Sequence, residues 1–180
     1  MNAELRSHRL AQIALFRGMN DSELRQLADI ARVDTAEAGD FLLRQGEESQ
    51  LLLVLLEGRC DVLKQLPPGA GEQQPILLAT LEPNQHCGEM SFFHRAPHSA
   101  SIRATTAVQF LQIDRAEYSD LIGEGASAAY KLAYNGLQTT AERLRRMDDW
   151  VVQLLSDHRQ PQSRREWTLF REKLFAGLNL

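Results

Sequence analysis

Turn-forming residues divide the stretch from Val33 to Asp114 into short runs that are rich in Leu, Val, Ile and Phe. The turn signals recur at intervals of about 8–12 residues, which is typical of an all-β sandwich or barrel. The runs that predict strands are Phe41 to Arg44, Leu51 to Glu57, Arg59 to Lys64, Ile76 to Leu81, Ser99 to Ala104 and Ala107 to Ile113. The stretch Pro67 to Gln74, with two prolines and two glycines, predicts a flexible hairpin loop.

Helical patterns flank this central stretch. Upstream, Asn20 and Glu23 form a capping box before a short helix, and downstream Asp114 and Glu117 form another. A long helical pattern then runs from about Ser127 to Ser156. The sequence therefore predicts N-terminal helices over 1–32, a β domain over 33–114, a hinge and long helix over 115–158 and a tail over 159–180.

The long helical pattern carries mostly apolar residues at heptad spacing. The two series are Tyr130, Leu137, Leu144 and Val151, and Ala133, Thr140, Met147 and Leu154. Such a seam either packs against the rest of its own chain or forms a helical dimer interface. We favour a homodimer, because the seam would otherwise leave large apolar side chains exposed to solvent.

Composition narrows the functional classes. The 180 residues include 20 Lys and Arg against 24 Asp and Glu, and this net charge of −4 argues against a generic nucleic-acid binder. Cys60 and Cys87 cannot form a disulfide scaffold or a four-cysteine zinc site, so we expect buried, reduced thiols. The longest apolar run, Leu51 to Leu56, is far shorter than a membrane span, and residues 1–10 lack the apolar core of a secretory signal. We expect a soluble, cytoplasmic protein.

Residues 87–104 carry the most informative chemistry. Gly88 precedes Glu89 and a short apolar turn, and Pro97, small hydroxylated residues and a strand follow. The first turn of a short helix leaves unpaired N–H groups, which favour an anion. Ser99 can donate its hydroxyl to a phosphate, and Glu89 can accept a hydrogen bond from a sugar hydroxyl. The combination favours a ligand that carries both a phosphate and a ribose.

This stretch resembles the phosphate-binding cassette of cyclic-nucleotide-binding domains, as in catabolite activator proteins and protein kinase A regulatory subunits. The other matching segments are Ala14 to Leu24, Ala38 to Glu47 and Leu55 to Arg59, and the resemblance covers about Leu10 to Ser156. It implies an α+β, mainly β fold. The expected architecture is an antiparallel β-roll or jelly roll with flanking N-terminal helices and a long C-terminal helix, which dimerises or closes over the pocket.

The resemblance also implies which residues bind the ligand. Glu89 matches the acid that binds the ribose 2′-hydroxyl, and Ser99 and Ala100 match the residues whose hydroxyl and amide reach the phosphate. The matching cassette positions are Gly88, Glu89, Met90, Ser91, His98, Ser99 and Ala100. Arg143 falls near the base-contacting turn of the long helix, where it either stacks on a purine or is an ordinary solvated residue.

His98 occupies the position of the phosphate-binding arginine of the family. An arginine there is permanently charged and bidentate, whereas a histidine with an ordinary pKa of about 6.5 is mostly neutral at neutral pH. Losing one charged hydrogen bond costs about 1.5–3 kcal/mol, which is roughly 10- to 150-fold in affinity. Either the pocket binds weakly, with His98 protonated by the charge of the ligand and helped by Arg95 or Arg103, or the domain survives as a scaffold without its ligand.

Other functional classes have less support. Only Arg159 to Leu180 follow the long helix, which is too short for a helix-turn-helix domain, so we expect no sequence-specific DNA binding. His86, Cys87, His94 and His98 match no metal-binding signature, and we interpret His86 and His94 as polar residues at the rim. No nucleophile elbow, P-loop or pair of catalytic carboxylates indicates an enzyme.

We therefore expect a stand-alone regulatory and sensor module that binds a cyclic nucleotide, cAMP or cGMP, and signals to an effector protein. Its affinity is expected to be weak because His98 replaces an arginine. No metal, DNA or membrane partner is expected. The alternative is a ligand-independent dimerisation and protein-interaction module with a degenerate pocket.

Overall fold

Two antiparallel sheets of four strands each form the centre of the fold in the described part of the chain. The computed structural model describes residues 10–66 and 74–157, apart from the side chains of residues 150 and 154–157. The strands are β1 (Ala31–Ala36), β2 (Phe41–Leu43), β3 (Leu51–Glu57), β4 (Cys60–Lys64), β5 (Ile76–Leu81), β6 (His86–Cys87), β7 (Ser101–Ala104) and β8 (Val108–Asp114). One sheet has the order β1-β8-β3-β6 and the other the order β2-β7-β4-β5.

The helices flank these sheets. A short 3₁₀ turn at Ala14–Phe16 precedes α1 (Asp21–Ile30), and α2 (Glu89–His94) lies between β6 and β7. The last two helices, α3 (Arg115–Gly123) and α4 (Ser127–Asp157), follow β8. The predicted α+β, mainly β roll with flanking helices and a long C-terminal helix is therefore confirmed. None of the described helices has both the length and the apolar composition that a membrane span requires.

Six of the eight described strands lie within two residues of their predicted positions. The sequence analysis did not predict β1 and β6. The predicted hairpin loop at Pro67 to Gln74 lies outside the described residues, except for its last residue.

The capping box at the start of α1 is present as predicted. The side chain of Asn20 accepts a hydrogen bond from the backbone N–H of Glu23 at 3.0 Å, and the backbone N–H of Asn20 donates to the Glu23 carboxylate at 2.8 Å. The same carboxylate accepts hydrogen bonds from Ser127 at 2.7 Å and from Lys131 at 2.6 Å, both in α4. A single buried acid therefore joins the start of α1 to the start of α4.

The second predicted capping box forms only in part. Asp114 caps α3 by accepting a hydrogen bond from the N–H of Ala116 at 2.7 Å. The carboxylate of Glu117, which the box would turn back toward Asp114, pairs instead with Arg32 of β1 at 2.7 Å. Strand β1 lies beside β8 in the sheet, so the arginine is close enough to attract the glutamate.

Two hydrophobic clusters hold the described elements together. The first joins the helices to the β3 and β8 sheet, and its largest fully buried members are Leu10, Ile13, Leu15, Phe16, Leu27, Leu52, Val54, Phe92, Ile113 and Leu132. The second fills the interior of the β-roll with Leu43, Leu53, Leu55, Cys60, Leu81, Cys87, Ile102, Ala104, Val108 and Phe110.

Cys60 and Cys87 are buried free thiols, as predicted. Burial raises the pKa of Cys60 to about 11.

The chain divides after Leu137 into two units, and α4 continues from the first unit into the second. In the first unit, α4 buries Ala128, Ala129 and Leu132, while Tyr130 and Leu137 of the heptad series are exposed. In the second unit, Leu144 and Met147 of the same series are exposed.

Candidate functional site

The site begins at a glycine whose backbone has a left-handed conformation. Gly88 connects β6 to α2 with a φ of 89°, a region that favours glycine. A Cβ atom at this position would lie 2.3 Å from the carbonyl oxygen of Leu51 and 3.4 Å from Cδ1 of Leu43. A glycine at position 88 therefore permits the close approach of this turn to β3.

Two polar side chains of α2 are buried directly after this glycine. Glu89 is 7% exposed and Ser91 is 2% exposed, whereas Met90 between them is largely exposed. The hydroxyl of Ser91 donates a hydrogen bond to the carbonyl oxygen of Gly88 at 3.0 Å. The first turn of α2 therefore carries a carboxyl group and a hydroxyl group inside the protein.

His98 is buried between two serines. Its Nδ1 lies 2.8 Å from Oγ of Ser91, and its Nε2 lies 2.6 Å from Oγ of Ser49 in the loop between β2 and β3. Because Ser91 donates its proton to Gly88, it accepts from Nδ1–H, and in the neutral ring Nε2 then accepts the Ser49 hydroxyl proton. The imidazole in this form joins Ser49, Ser91 and the Gly88 carbonyl in one chain of hydrogen bonds.

The environment of His98 favours the neutral form. Burial lowers the pKa of His98 below its usual 6.5, and the negative charge of Glu47 opposes this shift less strongly. The backbone N–H of His98 donates to the carbonyl of Glu47 at 2.9 Å, and the N–H of Gly46 donates to the carbonyl of His98 at 2.9 Å. The imidazole therefore joins α2 to the β2–β3 loop, an arrangement that does not favour the protonated His98 considered from the sequence.

Ser99 lies at the exposed rim beside the buried histidine. Its hydroxyl donates to Sδ of Met90 at 3.7 Å, and its carbonyl oxygen accepts a hydrogen bond from Nζ of Lys64 at the end of β4. Ala100 follows as a half-buried residue before β7. The structure thus brings together the cassette residues of α2 and the 98–100 segment, as the sequence predicted.

Two residues of the site were missed by the sequence analysis. Ser49 and Lys64 are 49 and 35 positions away from the residues that they contact, His98 and Ser99. No local motif marks either residue, because both reach the site through the pairing of distant strands and loops. Arg143, by contrast, is an exposed residue of α4 in the second unit, and its contact with a base stays a prediction.

The interpretation of His86 as a rim residue is wrong. Its side chain is buried in β6, which pairs with the central strand β3, so the imidazole lies within the protein. His94 at the end of α2 is exposed, as expected of a rim residue. Among the described residues, no three His, Cys, Asp or Glu side chains are grouped so that they could hold a metal ion.

An arginine connects the end of α2 to α3. One guanidinium nitrogen of Arg115 donates to the carbonyl of Phe92 at 2.6 Å and to that of Phe93 at 3.4 Å. The rings of Phe93 and Tyr118 lie edge to face with centroids 6.0 Å apart. Phe93 also approaches α4, where a Cβ atom on Gly136 would lie 3.0 Å from its Cε2. The cassette helix is therefore in contact with both helices that follow the β-roll.

Comparisons with known proteins agree with this geometry. The family model described as "Cyclic nucleotide-binding domain" matches residues 33–125. Human cGMP-dependent protein kinase 2 is 28% identical over 115 residues, which is 63% of this chain and 15% of the kinase. The chain thus spans a small part of the length of that relative.

Solved structures share the fold. A cyclic nucleotide-binding domain from Methylobacillus flagellatus superimposes with a TM-score of 0.71 and 25% identity, covering 83% of this chain and 82% of that one. The Thermus thermophilus catabolite activator protein superimposes with a TM-score of 0.68 and 27% identity, covering 79% of this chain and 63% of that one. The similarity therefore includes the β-roll and the helices that flank it.

Proposed function

Because this chain belongs to the cyclic nucleotide-binding domain family, we propose that it is a regulatory module that binds a cyclic nucleotide, cAMP or cGMP. The observation that carries the proposal is the cassette itself. A left-handed Gly88 leads into α2, Glu89 is buried in its first turn, and the 98–100 segment is held beside it through Ser91 and His98. The name of the cGMP-dependent kinase relative is consistent with this class of ligand.

In this proposal each polar group of the cassette has a role. Glu89 accepts a hydrogen bond from the ribose 2′-hydroxyl, while the hydroxyl of Ser99 and the backbone N–H of Ala100 donate to the cyclic phosphate. The backbone around Gly88, Met90 and Ser91 shapes the turn that receives the ligand. The module binds and does not catalyse, and its buried free thiols suit a reducing cytoplasmic compartment.

Affinity is expected to be modest. The neutral imidazole of His98 uses both ring nitrogens within the protein, so it supplies no positive charge to a phosphate. A missing charged hydrogen bond weakens binding by about 10- to 150-fold relative to a site with an arginine there.

The bound state would shift α2, and the contacts of Arg115 and Phe93 would pass the shift to α3 and α4, where an effector reads it.

Calorimetric titration with cAMP and cGMP tests the proposal. We expect measurable binding of at least one nucleotide, with no marked gain in affinity between pH 8 and pH 6, because burial lowers the pKa of His98 and its ring nitrogens contact two serines. Glu89→Gln should weaken binding about tenfold or more, since it replaces the charged carboxylate that accepts from the ribose with a neutral amide. The control Glu117→Gln changes a half-buried carboxylate that pairs with Arg32 and should leave affinity unchanged. Absence of heat at millimolar ligand would overturn the proposal.

A second candidate function is a ligand-independent dimerisation and protein-interaction module. The observation that favours it is the same buried His98, whose two serine hydrogen bonds complete the site without a ligand. The exposed heptad residues Tyr130, Leu137, Leu144 and Met147 support a homodimer through α4 in either case. A chain that forms dimers but binds neither nucleotide would favour this second function.

A further inference from the structure

Lys64 ends β4 on the face of the strand that lines the interior of the β-roll. At alternate positions before it, Cys60 belongs to the interior cluster and Val62 packs against that cluster, and Val62 pairs with the buried Ile102 of β7. Because side chains alternate along a strand, Lys64 lies on that same face. Lys64 thus lies at the edge of the β-roll interior, after the apolar residues Cys60 and Val62 of the same face.

The amino group of Lys64 is already in contact with the cassette. Its Nζ donates a hydrogen bond to the carbonyl oxygen of Ser99, the residue whose hydroxyl is proposed to bind the phosphate. The Ser99 hydroxyl lies at the same rim, against Sδ of the exposed Met90. Ser99 therefore contacts the positive charge of Lys64 through its carbonyl oxygen and the first turn of α2 through its hydroxyl.

The other cations considered for this role are placed differently. Arg103 alternates with the interior residue Ile102, so it lies on the outer face of its sheet, where it pairs across from Phe41 and Asp61. Arg95 lies at the opposite end of α2 from Gly88, as the residue that ends the helix. His98 is neutral and buried between its two serines.

We propose that Lys64 supplies the positive charge that binds the phosphate of the cyclic nucleotide, in place of the arginine that His98 has replaced. The inference rests on the proposed function and adds a phosphate-binding residue to it. Hydrogen bonds between charged partners are stronger than those to a neutral carbonyl, so Nζ gains by moving from Ser99 to a phosphate oxygen. The flexible stem of a lysine permits this movement by rotation about its bonds.

Titration of Lys64 variants with cAMP and cGMP tests the inference. Lys64→Gln should weaken binding about tenfold and reduce its dependence on salt, because an attraction between charges is screened by ions. Lys64→Arg should retain most of the affinity, since it restores the charge. The matched control is Arg59→Gln, which removes a positive charge just before β4 that pairs with the exposed Glu82. Thermal melts check folding, and Lys64→Met, which keeps an apolar stem, replaces any Gln variant that does not fold.

The outcomes separate this inference from the proposed function. Wild-type binding that Lys64→Gln weakens and Arg59→Gln leaves unchanged supports both. Wild-type binding that Lys64→Gln leaves unchanged overturns the role of Lys64, while the proposed function stands. A wild-type protein that binds neither nucleotide at millimolar concentration overturns both, because Lys64 would then have no phosphate to hold.

Discussion

At the scale of single residues, His98 is buried in an internal hydrogen-bond network with Ser49 and Ser91. Burial of this histidine favours its uncharged ring and lowers its pKa in the folded protein. The stability of the fold should therefore depend on pH through this residue.

We predict that the free energy of unfolding falls as the pH decreases below about 6.5. The pKa of His98 is lowered in the folded state, so the unfolded state binds more protons in this range and is favoured by acid. The nearby charge of Glu47 reduces the effect without reversing it. Denaturant unfolding from pH 8 to pH 5 should show a larger loss for the wild type than for His98→Gln. Equal losses in the two proteins would contradict the prediction.

A second prediction concerns Gly88. Gly88→Ala should destabilise the protein by roughly 2 kcal/mol or more, because the new methyl group adds a clash with the Leu51 carbonyl to the strain of a positive φ. Gly46→Ala is the matched control: its φ of 85° is similar, but a Cβ there meets no atom within 4 Å. We expect the control to cost only about 1 kcal/mol in urea unfolding. Similar losses for both variants would show that the contact with Leu51 has little effect.

The cassette residues could be identified from the sequence because they follow one another in the chain. Gly88, Glu89 and Ser99 belong to one continuous motif whose residue types suit a sugar phosphate. Ser49 and Lys64, which contact His98 and Ser99, could not be identified in this way, because they lie in a distant loop and a distant strand. The burial of His98 depends on those partners, so the lowering of its pKa by burial could not be predicted from the sequence.

At the scale of secondary-structure elements, Glu23 joins α1 to α4. Hydrogen bonds from Lys131 and Ser127 hold the pKa of this buried carboxyl at about 2, well below its usual 4.5. A shift of this size corresponds to about 3 kcal/mol of stability at neutral pH. The stabilisation is complete above about pH 4.5 and is lost as the pH falls toward 2.

We therefore predict that Glu23→Gln is less stable than the wild type at pH 7 by about 3 kcal/mol, and that the two proteins become similar near pH 2. Thermal or denaturant unfolding at pH 7, 4 and 2.5 measures the difference. Glu117→Gln serves as the control, because its pair with Arg32 is exposed to solvent and should contribute less than about 1 kcal/mol. A Glu23→Gln difference that is constant across this pH range would exclude the charge as its cause.

The elements that the sequence failed to predict have weak local signals. Strand β1 follows α1 without a turn, and its charged residues Arg32 and Asp34 are exposed at the edge of a sheet. Strand β6 has two residues, too few to show any alternation. Both exist because β8 and β3 offer them backbone partners, which is a property of the assembled sheet.

At the scale of the whole molecule, the exposed heptad residues of α4 predict a homodimer. Leu137→Glu should shift the mass measured by sedimentation from dimer to monomer, because a charge cannot be buried at a central seam position without a partner. Gln138→Glu is the matched control, since it adds the same charge to the neighbouring exposed position outside the seam. A wild-type monomer at micromolar concentration, or dimers of both variants, would contradict the prediction.

The contact between Phe93 and Gly136 has a mechanical consequence. The space beside Gly136 is so narrow that even a methyl group would lie 3.0 Å from the phenylalanine ring. Repulsion rises steeply when atoms are compressed, whereas attraction declines gradually as they separate. Glycine at position 136 therefore lets the Phe93 ring lie closer to α4 than any larger residue would permit. In the proposed sensor, a movement of α2 toward α4 would meet steep repulsion sooner than a movement away from it.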